Sequence, residues 1–145
     1  MPRPSAGGGR WCASLASAEV RQILLGGLLL LPLPLPVELH EVRLTGNRFA
    51  PRVIEARAGD TVRFINGNGG PHNVEFVADS IAAPAQRLLE QALPGDKIGP
   101  LSGPLLLSAG ERYEVIVPAL PPGRYPFVCL PHMIGDMRGT LVVLP

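Results

Sequence analysis

The chain has 145 residues, a length that fits one domain with a short appendage. Apolar residues make up 46% of the sequence, which is enough to build a single core, and the formal net charge is only +1. A charge so close to zero gives no reason to expect nucleic acid as a partner.

The first 37 residues have the pattern of a targeting segment. Several arginines precede an apolar run at 23–31, as in the n-region and h-region of a secretory signal. The run is shorter than the roughly 20 apolar residues of a membrane span, and the prolines that follow it disfavour a continuous helix. We therefore expect a leader at 1–37, a domain at 38–145, and export to the periplasm or another compartment outside the cytoplasm. No clear cleavage site follows, so a membrane anchor at the N-terminus is the alternative.

The remainder of the chain has the pattern of an all-β domain. Short runs of β-branched and aromatic residues are bounded by Gly, Pro, Asn and Asp, which is typical of strands. The expected strands lie at 42–44, 53–56, 61–65, 73–77, 105–107, 112–117, 124–129 and 139–144. About eight strands at this spacing predict a Greek-key β-sandwich or barrel. Pro126 interrupts one run, which suggests an edge position or a bulge.

One segment differs from the strand pattern. Residues 84–93 contain strong helix formers, and Pro94-Gly95 follows as a stop signal. Ala85, Leu88, Leu89 and Ala92 are spaced as on one face of a helix. We predict one short amphipathic helix that covers the barrel.

Three potential metal ligands occur within nine residues near the C-terminus. Cys129, His132 and Met137 have the spacing Cys-x2-His-x4-Met, and His72 lies 57 residues before the cysteine. Two imidazoles and one thiolate in a plane, with a weak axial thioether, are the ligands of a blue-copper electron-transfer site. Each residue alone has a structural explanation, as a buried thiol, a turn histidine or a core methionine, but together they predict one type 1 copper ion that alternates between Cu(I) and Cu(II).

The surroundings of the proposed ligands suggest two further features. Pro131 has no N–H, so the backbone N–H of Asn73 is the expected hydrogen-bond donor to the thiolate. Met133 and Ile134 follow His132. They are either ordinary loop packing or a patch through which a partner protein approaches the metal.

The segments 59–64, 71–76 and 125–139 resemble the cupredoxins, and among them the plastocyanin-like and pseudoazurin-like proteins. The resemblance covers about residues 39–145. It implies a small Greek-key sandwich with one type 1 copper, held by His72, Cys129, His132 and Met137. It also implies a monomeric carrier that moves single electrons between larger redox proteins outside the cytoplasm. The acidic docking patch of plant plastocyanins is not visible in 79–104, so the pathway stays open among photosynthetic, respiratory and nitrogen-oxide chemistry.

Three other functions are alternatives to electron transfer. Copper delivery or storage is the main alternative, but no Met-rich or His-rich tract is present. An enzyme with several coppers would need further histidine pairs, and His40 is the only histidine outside the proposed site. The sequence therefore predicts no enzyme activity. A copper-free adhesive relative of the fold would not need the complete ligand set.

Overall fold

The computed structural model describes residues 36–145, and the expected leader lies almost entirely outside this range. Within this range, eight strands form two four-stranded sheets, and one α-helix lies between β5 and β6 in the sequence. The strands are β1 (Leu39–Thr45), β2 (Arg48–Ala50), β3 (Val53–Ala56), β4 (Thr61–Asn66), β5 (Glu75–Phe76), β6 (Arg112–Ile116), β7 (Gly123–Val128) and β8 (Arg138–Val143), and the helix is α1 (Ala83–Ala92). The predicted all-β sandwich with one short helix is confirmed. No helix within 36–145 is long and apolar enough to cross a bilayer.

The two sheets have the orders β2-β1-β4-β6 and β3-β8-β7-β5. The β1–β4 and β3–β8 pairs are parallel, and the other pairs are antiparallel. Parallel neighbours need a crossover connection, so the chain passes repeatedly between the sheets. One end of the sandwich collects the C-terminal ends of β4 and β7 and the start of β8, and this end holds the predicted ligands.

Aromatic rings fill the middle of the core. The ring centroid of Phe127 lies 4.9 Å from that of Phe49, 5.6 Å from Phe64 and 5.8 Å from Phe76, always at steep interplanar angles. Edge-to-face packing of this kind adds about 0.5–1.5 kcal/mol per pair beyond area burial. Phe127 lies two residues before Cys129, so the same packing fixes the end of β7.

The helix prediction is confirmed, with the predicted face turned inward. Ala85 and Leu89 are buried and Leu88 packs against the core. The helix ends at Ala92, and Leu93, which follows it, is also buried.

Two strand predictions and the Pro126 prediction need correction. In the described part of the chain, the segment 105–107 forms a single bridge, between Leu106 and His72, and the ladder expected over 73–77 is limited to Glu75–Phe76. Pro126 lies inside β7, opposite Thr140, and the β7–β8 register is continuous there, without a bulge. Its carbonyl accepts a hydrogen bond from the N–H of Val77, just beyond the end of β5. The missing N–H of Pro126 therefore faces a point where the neighbouring strand has ended, so the edge character is local.

Candidate metal centre

The side chains of His72, Cys129 and His132 meet at one end of the sandwich. The Sγ of Cys129 lies 3.7 Å from Nδ1 of His72 and 3.4 Å from Nδ1 of His132. The two imidazole rings are 4.6 Å apart between centroids, at an interplanar angle of 29°. Bonds of about 2.0 Å to nitrogen and about 2.3 Å to sulfur, as measured for zinc, hold these atoms about 3.7 Å apart at an angle near 120°. The observed spacing therefore fits a single bound metal ion.

Strand alternation explains where Cys129 and Met137 lie. Side chains on a strand point to opposite faces in turn, and Tyr125, Phe127 and Cys129 all face the core at the end of β7. Met137 immediately precedes β8 and is also fully buried. The N–H of Cys129 donates to the carbonyl of Met137 over 3.1 Å, which closes the loop between the two strands. The loop therefore starts and ends with a buried sulfur-containing side chain.

His72 is positioned by a loop that turns back after β4. Gly69 and Gly70 have φ values of +73° and +95°, a conformation that glycine adopts without strain. The buried amide of Asn66 fixes this turn, because its Nδ2 donates to the carbonyl of Gly70 and its Oδ1 accepts from the N–H of Gly69. The backbone of His72 then pairs with Leu106 through two hydrogen bonds. His72 itself is 1% exposed.

A side chain from the same loop orients the His72 ring. Nε2 of His72 lies 3.3 Å from Oδ1 of Asn68. An amide oxygen only accepts, so Nε2 carries the hydrogen, and Nδ1 of the neutral ring is left with a free lone pair. That lone pair is the one on the Cys129 side. Burial, and then the proximity of His132, lower the pKa of His72, which also favours the neutral form that binds metals.

The thiol of Cys129 is fully buried. Burial raises the pKa of Cys129, and the backbone N–H groups of Asn73 and His132 partly oppose that rise. The influence of Asn73 on the thiol agrees with the prediction, whereas the N–H of His132 donates its hydrogen bond to the carbonyl of Cys129 over 3.1 Å. Because the thiol is neutral without a metal, metal binding must release a proton.

The Asn73 side chain connects three segments at the site. Its Oδ1 accepts from the N–H of Leu130 over 2.8 Å, and its Nδ2 donates to Oγ of Ser102 over 3.0 Å. Ser102 in turn donates to the carbonyl of Gly103. Asn73 and Ser102 are both fully buried. This network holds the residue after Cys129 against the segment that follows α1.

Of the four predicted ligands, His132 alone reaches the surface. It is half-buried, whereas the other three are at most 1% exposed. Large exposed apolar side chains lie next to it in sequence, with Met133 at 47% and Ile134 at 106% exposure. Leu105 and Leu107 flank the residue that pairs with His72 and are also exposed.

A second group with metal-binding side chains contains Glu38, His40 and Asp60. Asp60 already accepts hydrogen bonds from the N–H groups of Glu38 and Arg57, and its Oδ2 lies 3.2 Å from Nε2 of His40. Both carboxylate oxygens are therefore occupied within the protein. The group joins the start of β1 to the start of β4, and His40 lies outside the predicted site, as expected.

A β-sandwich with a buried thiol and two convergent imidazoles defines a class of copper-binding proteins, and the comparisons agree. Residues 39–144 match the family described as copper binding proteins, plastocyanin/azurin family. The chain belongs to this family.

Relatives and solved structures extend this result. The plastocyanin of Chlamydomonas reinhardtii is 30% identical over 98% of this chain and 94% of its own length. The plastocyanin of Pisum sativum is 37% identical over 68% of this chain, which spans about half (52%) of that relative's length. A mutant fern plastocyanin, solved oxidized and reduced, superposes with a TM-score of 0.53 at 27% identity, over 72% of this chain and 99% of its own.

The family membership confirms the class of function that the sequence predicted. The chain is a type 1 copper protein that carries electrons, and it is not an enzyme. Copper delivery or storage is not favoured. The sequence did not reveal the roles of the Asn66, Asn68 and Ser102 side chains. The cluster of asparagines beside Pro71-His72 was the only available signal for the first two.

Proposed function

We propose that His72, Cys129, His132 and Met137 are the four copper ligands. The convergence of both Nδ1 atoms on Sγ of Cys129 carries this proposal. Met137 is buried at the closed base of the same loop, and its thioether would complete the set as a weak fourth ligand. Copper held there would supply a one-electron couple between Cu(I) and Cu(II).

The residues around the proposed ligands suit rapid electron transfer. Asn68 fixes the ring of His72, and Asn73 fixes the backbone next to Cys129. Ligands held by such contacts keep their positions when the charge of the site changes, so little reorganisation accompanies each transfer. Burial of three ligands excludes water and keeps the electron from reaching other acceptors.

The exposed edge of His132 is the proposed route for the electron. Its neighbours Met133 and Ile134, with Leu130, form an exposed apolar surface that a partner redox protein can cover. Leu130 and Met133 also line a surface groove of about 460 Å³. A partner that contacts this surface brings its own redox group close to the imidazole. Replacing Ile134 by serine should weaken electron exchange with such a partner without changing the absorption spectrum.

Retention of copper separates an electron carrier from a delivery protein. The copper-loaded chain would be cycled between ascorbate and hexacyanoferrate(III) in the presence of a Cu(I)-specific chelator. A carrier keeps its copper through repeated cycles, because both oxidation states share one rigid site. Loss of copper to the chelator in the reduced state would overturn the carrier function and favour delivery.

We further propose that residues 1–37 direct export and that residues 38–145 act as a monomer outside the cytoplasm. The arginines before an apolar run support the leader, and the pea and Chlamydomonas relatives are named chloroplastic plastocyanins. Cell fractionation with intact-mass measurement tests the leader. Recovery only in the cytoplasm would contradict it. Light scattering of the copper-loaded chain tests whether it is monomeric in solution.

A further inference from the structure

A groove lined by arginines lies directly beside the loop that carries the proposed ligands. It has a volume of about 330 Å³ and is lined by Asn47, Arg48, Phe49, Arg52, Asp136 and Arg138. Three positive side chains therefore face one negative side chain. Arg52, Asp136 and Arg138 are each more than half exposed, so the charges are open to a partner.

The arginines have more hydrogen-bond donors than the groove uses. Arg52 and Arg138 each contact Asp136 through a single nitrogen, at 3.2 Å and 2.6 Å. Arg48 makes no ion pair with any residue in 36–145. A guanidinium has five N–H donors in a planar fork that matches a carboxylate. The groove thus has an excess of both charge and donors suited to carboxylates.

The groove adjoins the loop between β7 and β8, both along the chain and by packing. Asp136 immediately precedes the proposed ligand Met137, and Arg138 immediately follows it. Asn47, in the turn between β1 and β2, packs closely on Gly135. A side chain at position 135 would clash with the Asn47 amide. An occupant of the groove therefore lies beside the loop that also exposes Met133 and Ile134.

We propose that this groove, the arginine groove, binds acidic side chains of a partner redox protein. The inference rests on the proposed electron-carrier function. Carboxylates of the partner would accept hydrogen bonds from the N–H groups of Arg48, Arg52 and Arg138 that the groove leaves unused. An apolar part of the partner would cover the surface around Ile134. Electrostatic attraction of this kind raises association rates and sets the orientation of the partner.

Small redox probes of opposite charge test the arginine groove in the copper-loaded full chain. Hexacyanoferrate(III), an anion, takes one electron from the reduced site and becomes hexacyanoferrate(II), with no proton transferred. Tris(phenanthroline)cobalt(III) is the cationic counterpart.

The variant is Arg48→Glu, which leaves the Asp136 ion pairs intact. The control is Arg124→Glu, an exposed residue of β7 that changes the net charge equally. Arg124 lies four residues along the β7–β8 pair from the level of Arg138, about 13 Å away.

The expected results depend on position rather than on net charge. At about 10 mM ionic strength, Arg48→Glu should slow oxidation by hexacyanoferrate(III) roughly three- to tenfold, and Arg124→Glu by less than about twofold. With the cationic cobalt probe, Arg48→Glu should instead speed oxidation, and by more than Arg124→Glu does. The rate changes with both probes should shrink at about 200 mM salt. Hexaglutamate, added at constant ionic strength, should slow the oxidation of the native chain by hexacyanoferrate(III) but should not slow that of the Arg48→Glu variant.

Different outcomes would contradict the arginine groove and the electron-carrier function. Equal rates for the two variants, or no competition by hexaglutamate, would overturn the arginine groove as a carboxylate site. Such results would leave the proposed function intact, because electron transfer itself would still occur. Failure of both probes to oxidise the reduced native chain would instead count against the electron-carrier function. Reduction potentials measured for each variant correct the rates for driving force.

Discussion

Replacing Asn73 by alanine should lower the free energy of unfolding by about 2–4 kcal/mol. The substitution removes the acceptor for the N–H of Leu130 and the donor to Oγ of Ser102. A buried polar group that loses its partner costs about 1–3 kcal/mol. Ser102 is fully buried but keeps its bond to the carbonyl of Gly103. The bond to Leu130 is only partly buried, so water can compensate part of the loss there. The cost therefore lies below the sum of two full penalties.

Guanidinium unfolding of the metal-free chain, followed by far-ultraviolet circular dichroism, measures this loss. Ser102→Ala is the matched control. It removes the bond to Asn73 and the bond to the carbonyl of Gly103, but it leaves the N–H of Leu130 paired with Asn73. We expect it to cost about 1–2 kcal/mol, less than Asn73→Ala, because the N–H of Leu130 keeps its acceptor. The double variant should cost less than the sum of the single variants, since both remove one shared bond. The reasoning is refuted if Asn73→Ala costs no more than Ser102→Ala.

Three further predictions concern single side chains. The hydroxyl of Tyr113 is buried without a partner in the described part of the chain, so Tyr113→Phe should leave the free energy of unfolding unchanged or raise it by up to about 1 kcal/mol. Burial alone raises the pKa of Asp60, but its hydrogen bonds outweigh this and hold the pKa below the ordinary value of an aspartate. Asp60→Asn should therefore cost about 1–2 kcal/mol near neutral pH, and the difference from the native chain should vanish as the pH falls through and below 4. Asn68→Ala frees the His72 ring and should weaken copper binding at least about tenfold, as measured by competition with a chelator.

Each of these predictions has its own control. A clear loss of stability in Tyr113→Phe, in the same unfolding assay, would show that the hydroxyl has a partner. Asp96→Asn, at an exposed position, controls for the general effect of losing one negative charge. A difference between native and Asp60→Asn chains that persists undiminished at pH 3 would contradict the assigned hydrogen bonds. Asn68→Asp keeps an acceptor oxygen for Nε2, so it should restore much of the copper affinity lost in Asn68→Ala.

Strand alternation and ligand chemistry made much of the site predictable. Tyr125, Phe127 and Cys129 alternate at every second residue, a spacing that places side chains on one face of a strand, and all three are buried. Met137, eight residues after Cys129, is buried as well. The face of α1 followed from its apolar spacing for the same reason. These features depend on local periodicity, which a single sequence records directly.

Features that depend on long-range neighbours were not predictable in the same way. The segment 105–107 has the composition of a strand, yet within residues 36–145 its single bridge is the one between Leu106 and His72. The roles of Asn68 and Ser102 depend on which loops meet at the end of the sandwich. Polar side chains of this kind are equally typical of turns, so sequence alone could not separate the two uses.

The visible absorption spectrum of the full chain, recorded with added Cu(II) and then with a reductant, tests the central claim most directly. We predict an intense thiolate-to-Cu(II) band that disappears on reduction and returns on oxidation. The band should be absent in Cys129→Ser and shifted in Met137→Leu. A folded chain that binds copper without this band, or a band that survives in Cys129→Ser, would contradict the proposed type 1 site.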